Sequence, residues 1–328
     1  KASADWSASA KSHIFNITSG KVAMKGLTII GNENTKHGVN VYGKDADVAL
    51  SDVTIQNCGT AAIVINAGTV TADGLTTSGN AWGAVNVDNG GTFTVSDAKL
   101  SEDAQIWSED ASSENGSTIT AEGFDAVTVN ADSGNGQADI KTHYTTDKSK
   151  LGEAYNESTN TVYDTVERAL DAAQTGETVQ VQADATLNNG ADVKDGVSLT
   201  VQEGATLTIP DGKTLTIPKG NTLTNNGSIS GEVKQGQDST TFVVITFKTE
   251  PEDATVTVKL DDAAVNGDGK RFTLETGKTY TYTVSASGYE SKTGTIEVTK
   301  DATETVTLTK RASSGGGGGG GSSSTQSK

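Results

Sequence analysis

The groups in this sequence that could do chemistry are three histidines, one thiol, a set of aspartates and one tryptophan beside a turn, and their spacing limits what each can do. His13, His37 and His143 stand apart with no Cys or Glu at ligand spacing, so they spell no zinc site and read as solvated turn histidines. Cys58 is the single cysteine and can staple nothing within the chain. Asp45, Asp47, Asp52, Asp73, Asp88 and Asp97 could supply the paired acid and base of glycoside hydrolysis, but most fall where a chain turn accounts for an Asp. Proton abstraction from an acidic sugar needs a basic residue, commonly with calcium. The three arginines, Arg168, Arg271 and Arg311, all lie beyond the first 150 residues, and Lys21, Lys25, Lys36 and Lys44 are scattered. Asp261-Asp262 and the Asn266 to Gly269 segment lack the final Glu of a calcium loop and read as a hairpin turn. Trp82 beside Gly83, with Asp88 and Asn89 six and seven residues on, has the makings of a sugar-binding patch: an indole face to stack on a pyranose and polar groups to bond its hydroxyls. Trp82, Asp88 and Asn89 are therefore the candidate ligand-binding residues, and no catalytic residue, metal or cofactor is expected.

Composition says what kind of chain must hold these residues. Of 328 residues 33% are hydrophobic and 5% aromatic, with 38 Gly, which suits short strands and many turns. The formal net charge of -17 makes nucleic acid and anionic membranes poor partners. No run of 18 apolar residues is present to span a bilayer. The chain opens on Lys1-Ala2-Ser3-Ala4 with no initiator Met or signal peptide, as a fragment or processed form would. Sequons at Asn16, Asn115, Asn156 and Asn226 are expected by chance in so Asn- and Ser-rich a sequence.

A repeat organises the rest. Glycines at 196, 204, 212 and 220 open eight-residue units in which Leu199, Leu207, Leu215 and Leu223 should point inward and Thr200, Thr208 and Thr216 outward. Three such units make one turn of a three-sided coil, with Pro210 and Pro218 in equivalent turns. Before residue 150 the pattern is looser. Val22, Val48, Val70 and Phe93 are 26, 22 and 23 residues apart, and each is followed five residues later by a second apolar residue across a corner at Gly26, Asp52, Gly74 or Asp97. A third strand follows at Val39–Val41, Ile63–Ile65, Val85–Val87 and Ile106, and Ser108 to Ser117 reads as a solvated loop between rungs. Apolar residues at 162, 166, 169, 170 and 173 predict one helix over Thr161 to Gln174, with Thr161 as N-cap and Gly176 as stop.

Over roughly residues 12 to 130 the rung pattern resembles the right-handed parallel β-helix of the pectate-lyase-like superfamily, and the helix followed by Gly176-Glu-Thr-Val179 looks like the opening of bacterial surface β-helices. Further on, Pro251, Leu274, Gly277, Tyr280, Gly288 and Tyr289 carry a resemblance to the PEGA domain of bacterial surface proteins, with Asp253 where that pattern has Gly. The expected fold class is thus all-β: right-handed parallel β-helix or solenoid segments, one short capping helix and a small C-terminal β-sandwich. The domains would be an irregular β-helix over 1–150 truncated at its N-terminus, a helix-capped solenoid over 155–235, a PEGA-like sandwich over 240–311 and a Gly/Ser linker over 312–328. The resemblance implies a non-enzymatic, secreted, cell-surface adhesin or stalk, monomeric, binding a glycan or a host or cell-wall component through its β-helix loops. The alternative is a polysaccharide hydrolase or lyase whose site is incomplete in this stretch.

Overall fold

Backbone hydrogen bonds in a parallel coil can be satisfied only by the rung above or below, so a chain of short apolar strands separated by turn residues must stack to fold at all. The computed structural model describes residues 12–236 and 238–311, with backbone alone for 238–240; the linker expected over 312–328 lies outside them. The described chain is all-β apart from one α-helix, Val166–Ala172, and one 3-10 turn, Lys148–Lys150. It forms two compact units, one up to Thr240 and one from Thr241.

The first unit is a three-sided parallel β-solenoid. Its first face stacks Phe15–Ile17, Val39–Tyr42, Ile63–Asn66, Val85–Asp88 and Ile106–Ser108 in parallel. Its second face runs Gly20–Lys25, Ala46–Ser51, Thr69–Asp73, Thr92–Ser96 and Thr118–Ala121, and its third Thr28–Ile30, Thr54–Gln56, Thr76–Ser78 and Lys99–Leu100. The register follows the spacing read from the sequence: Val22 pairs with Val48, Val48 with Val70, Val70 with Phe93, and Phe93 with Ile119. Their side chains and those of Ile55, Ile63, Ile65 and Leu75 fill the coil.

The corner between the second and third faces is built from Gly26, Asp52, Gly74 and Asp97, all with φ between 46° and 70°, and Gly123, φ 81°, follows the last second-face strand and leads into Asp125–Asp132. Each rung makes the same sharp turn there, and Gly and Asp reach that left-handed conformation at low cost. Val53 and Leu75 after the corner are buried, but Leu27 is 39% exposed. In its rung Ile29, two residues further along the strand, points inward beside Ile55.

Between Ala121 and Thr178 the parallel stacking is broken by antiparallel pairs, those of a hairpin and those of Ala154–Asn156. After Ala121 the chain forms a hairpin, Asp125–Asp132 with Ala138–Thr145, whose second strand joins the first face antiparallel to Ile106–Ser108. Thr161–Tyr163, Ala154–Asn156, Thr178–Val181, Ser198–Val201 and Leu223–Asn225 extend the same sheet to twelve strands. The boundary placed between 150 and 155 therefore lies within a continuous sheet.

The predicted helix is shorter than its apolar pattern. Thr161–Tyr163 is a strand paired with Thr128–Asn130 and with Ala154–Asn156, and the helix begins after Thr165, whose hydroxyl accepts from the Arg168 N–H at 3.3 Å. Strand pairing on both sides of Thr161 satisfies more backbone groups than one extra helical turn would. Lys194 Nζ caps the other end on the carbonyls of Asp171 and Ala173.

Beyond the helix the eight-residue units are successive sides of one coil. Leu199 pairs with Leu223, Leu207 with Ile229 and Leu215 with Val233. Leu199, Leu207 and Leu215 are fully buried, whereas Leu223, in the edge strand of the twelve-stranded sheet, is only partly so. Pro210 and Pro218 sit in matching turns, their carbonyls accepting from Lys213 and Asn221.

The second unit is a two-sheet sandwich. Asp238–Glu250 pairs antiparallel with Arg271–Glu275 and parallel with Ala302–Thr307, and the other sheet orders Ala263–Val265, Thr255–Leu260, Thr279–Ser285 and Lys292–Glu297. Phe247, Phe272, Leu274, Tyr282 and Val284 form its core. Two of its strands, Ala263–Val265 and Lys292–Glu297, carry too few buried apolar residues to announce themselves in sequence. Asp261 and Asp262 take φ of 49° and 68° as the two-residue turn of a hairpin, which accounts for that pair without a metal.

Candidate binding site

Along the outer face of the twelve-stranded sheet, residues in register form a row: Asn16, Asn40, Val64, Asn86, Trp107 and His143. Strand alternation puts them there, since Val39, Ile63, Val85 and Ile106 one position earlier fill the interior. The row begins polar, with Asn40 Nδ2 donating to Asn16 Oδ1 at 2.7 Å, and becomes apolar where Ala61, Val64 and Trp107 bury one another outside the main core.

Trp107 reaches that position because residue 83 has no side chain. A Cβ on Gly83 would lie 2.9 Å from Trp107 Cζ3 and 2.2 Å from the Ala104 carbonyl oxygen, and its φ of +120° is one that other residues rarely adopt. Trp107 is left 8% exposed, while Trp82, on the turn just before, stands 58% exposed. Together with Asn86, Asp88, Ala104, Glu109, Lys141 and His143 the two indoles line an open recess of about 400 Å³.

The polar side of the recess is held by defined bonds. Asp88 accepts from Asn86 Nδ2 at 2.8 Å through one oxygen and from the Glu109 backbone N–H at 2.8 Å through the other. Asp110 fastens the following loop, accepting from the N–H groups of Gly90 and Ser117 and from Ser108 Oγ. The segment expected to be a free solvated loop is thus tied to the sheet at its root. Lys141 lies 2.9 Å from Asp139 and 3.6 Å from Glu109. Burial works against its charge, but the two carboxylates outweigh it and its pKa is raised. His143 is 8% exposed, and burial, with Lys141 nearby, pushes its pKa down to about 4, so its imidazole is neutral at pH 7. Its Nδ1 is buried with no hydrogen-bond partner.

Of the three residues singled out in sequence, Trp82 and Asp88 line the recess and Asn89 does not. Asn89 takes φ of 55° at the strand end and donates to Asn66 Oδ1 one rung away. Sequence reasoning missed Trp107, Glu109, Lys141 and His143. The outward position of Trp107 was readable from Ile106 beside it, but Lys141 and His143 arrive through the antiparallel hairpin, for which the rung pattern has no signal.

The histidines are neither isolated nor, for two of them, solvated turn residues: His37 is buried, and His143 is buried within the strand Ala138–Thr145 because the hairpin packs it against the sheet. His13 and His37 stack with ring centroids 4.8 Å apart, and His37 meets the Trp82 ring edge-on at 6.3 Å. Their separation of 24 residues is one rung, which places them on the same corner. His37 Nδ1 is 2.6 Å from Thr60 Oγ1, and burial first, then His13 and Lys36, bring its pKa down to about 4. Among the described residues no three of His, Cys, Asp or Glu are grouped as a metal ion would require. Cys58 is buried, and burial raises its thiol pKa to about 11. No described helix is long and apolar enough to cross a membrane.

A larger recess of about 630 Å³ lies beside the helix, bordered by Glu167, Asp171, Asp192, Lys213 and Thr214. It has no aromatic wall, so it offers a sugar ring or other flat ligand little apolar surface to replace water. The smaller recess combines both kinds of surface. No family model, no curated protein and no solved structure matches this chain.

Proposed function

We propose that this chain is a non-enzymatic scaffold of a secreted cell-surface protein, an adhesin or stalk whose β-solenoid binds a glycan at the Trp82 recess. The observation that carries this reading is the exposed Trp82 indole beside a patch of amide, carboxylate, ammonium and neutral imidazole groups. An apolar ring face with polar groups at its edge suits a pyranose, which presents C–H bonds on one face and hydroxyls around its rim. The sandwich of the second unit, with the PEGA-like residues Pro251, Tyr280 and Tyr289, fits a spacer module on the same surface protein. Against catalysis stands the use of Asp88, whose two oxygens are taken up by Asn86 and the Glu109 backbone, leaving it a positioning role.

The test is a polysaccharide panel in which retention and product release are both measured, with Trp82→Ala beside the unaltered chain. Retention of a glycan, lost in Trp82→Ala and without product, is the expected result. Release of shortened sugar from any glycan overturns the non-enzymatic reading in favour of a hydrolase or lyase.

A further inference from the structure

The charges around the recess narrow the sugar class, and this step rests on the glycan-binding reading just given. Two carboxylates, Asp88 and Glu109, border the indoles, and the one ammonium, Lys141, is shared between Glu109 and Asp139. Lys141 is thus outnumbered by its own partners and offers no free positive charge to a uronate, sulfate or phosphate. His143 adds none at neutral pH, and the chain's net charge of -17 repels anions at longer range. The Glu109 side chain is 66% exposed, so a carboxylate faces solvent at the rim. An indole face attracts a cation as well as a C–H face.

We propose that the recess selects a sugar bearing a free amine, a hexosamine unit whose protonated amino group is held between Glu109 and the face of Trp82. The ring stacks on Trp82, the ammonium meets Glu109 at the rim, and Asp88 keeps the Glu109 backbone in place.

Binding of the full chain to four soluble oligosaccharides of equal length decides it: a glucosamine oligomer, its fully N-acetylated form, a neutral β-glucan and an oligogalacturonate. The expected order puts the free-amine oligomer first by about tenfold over the N-acetylated one, with the uronate weakest, as removal of one charge-assisted contact implies. Glu109→Gln should erase most of that preference, bringing the free-amine and N-acetylated oligomers to similar affinity. Asp211→Asn, which removes one negative charge in a turn after another strand of the solenoid, controls for general attraction of a polycation to an acidic chain and should change nothing. Equal or tighter binding of the N-acetylated, neutral or anionic oligomer overturns the amine selectivity and leaves a glycan site standing. An equal loss in Glu109→Gln and Asp211→Asn also overturns it, as unspecific charge attraction. Failure to bind any of the four, or binding untouched by Trp82→Ala, removes the glycan-binding reading itself.

Discussion

Gly83 shows how much of the recess depends on one position. Any Cβ there meets the Ala104 carbonyl oxygen at 2.2 Å on a backbone already at φ +120°, so Gly83→Ala must displace backbone, Trp107 or both. We expect a loss of about 2–4 kcal/mol in unfolding free energy, read by denaturant titration, together with loss of ligand retention. Trp82→Ala separates the two effects. Its side chain is mostly in solvent, so stability should stay within about 0.5 kcal/mol while retention disappears. His37 and His143 make the third residue-scale prediction. Each remains neutral in the folded chain down to about pH 4, whereas the unfolded chain protonates them near pH 6.5. Below about pH 6.5 the unfolded state binds more protons, so stability falls as pH drops towards 4, by up to a few kcal/mol for the pair. Chemical denaturation at pH 7, 5.5 and 4.5 measures it, and His143→Gln should flatten part of the slope.

At the scale of elements, the coil and the helix are held by different means. Leu207 is a fully buried knob on one side of the coil, with Ala185 behind it and Ile229 ahead, so Leu207→Ala should cost about 2–5 kcal/mol. Thr208, next to it, faces outward, and Thr208→Val should change stability by less than about 0.5 kcal/mol. The contrast, read by thermal or denaturant unfolding, tests the inward and outward assignment directly. The seven-residue helix is too short to persist alone and depends on its ends and on the burial of Val166, Ala169 and Leu170. Loss of the Thr165 cap in Thr165→Ala should cost about 1 kcal/mol, and Thr161→Ala should leave the helix content seen by circular dichroism unchanged, because Thr161 belongs to a strand.

At the scale of the molecule, two compact units with separate apolar cores should unfold as two transitions in calorimetry, and Phe272→Ala should lower only the one belonging to the sandwich. What the sequence determined by itself was the repeating part. Glycines every eight residues, Val22, Val48, Val70 and Phe93 one rung apart, and Gly or Asp at the same corner of each early rung prescribe the strands, the inward residues and the three-sided coil. They do so because each rung meets the same requirement as its neighbours, to bury one face and pair its backbone axially, so the requirement is written many times over. The tertiary structure alone decided what happens once: the hairpin that reverses the coil after Ala121, the strand that claims Thr161 from the helix, and the recess that Trp82 lines with Trp107, Lys141 and His143. Trp107 and His143 are 36 positions apart in the chain and become neighbours only through antiparallel pairing, a contact set by which sheet edge is free when the hairpin forms and not by any local preference of either residue.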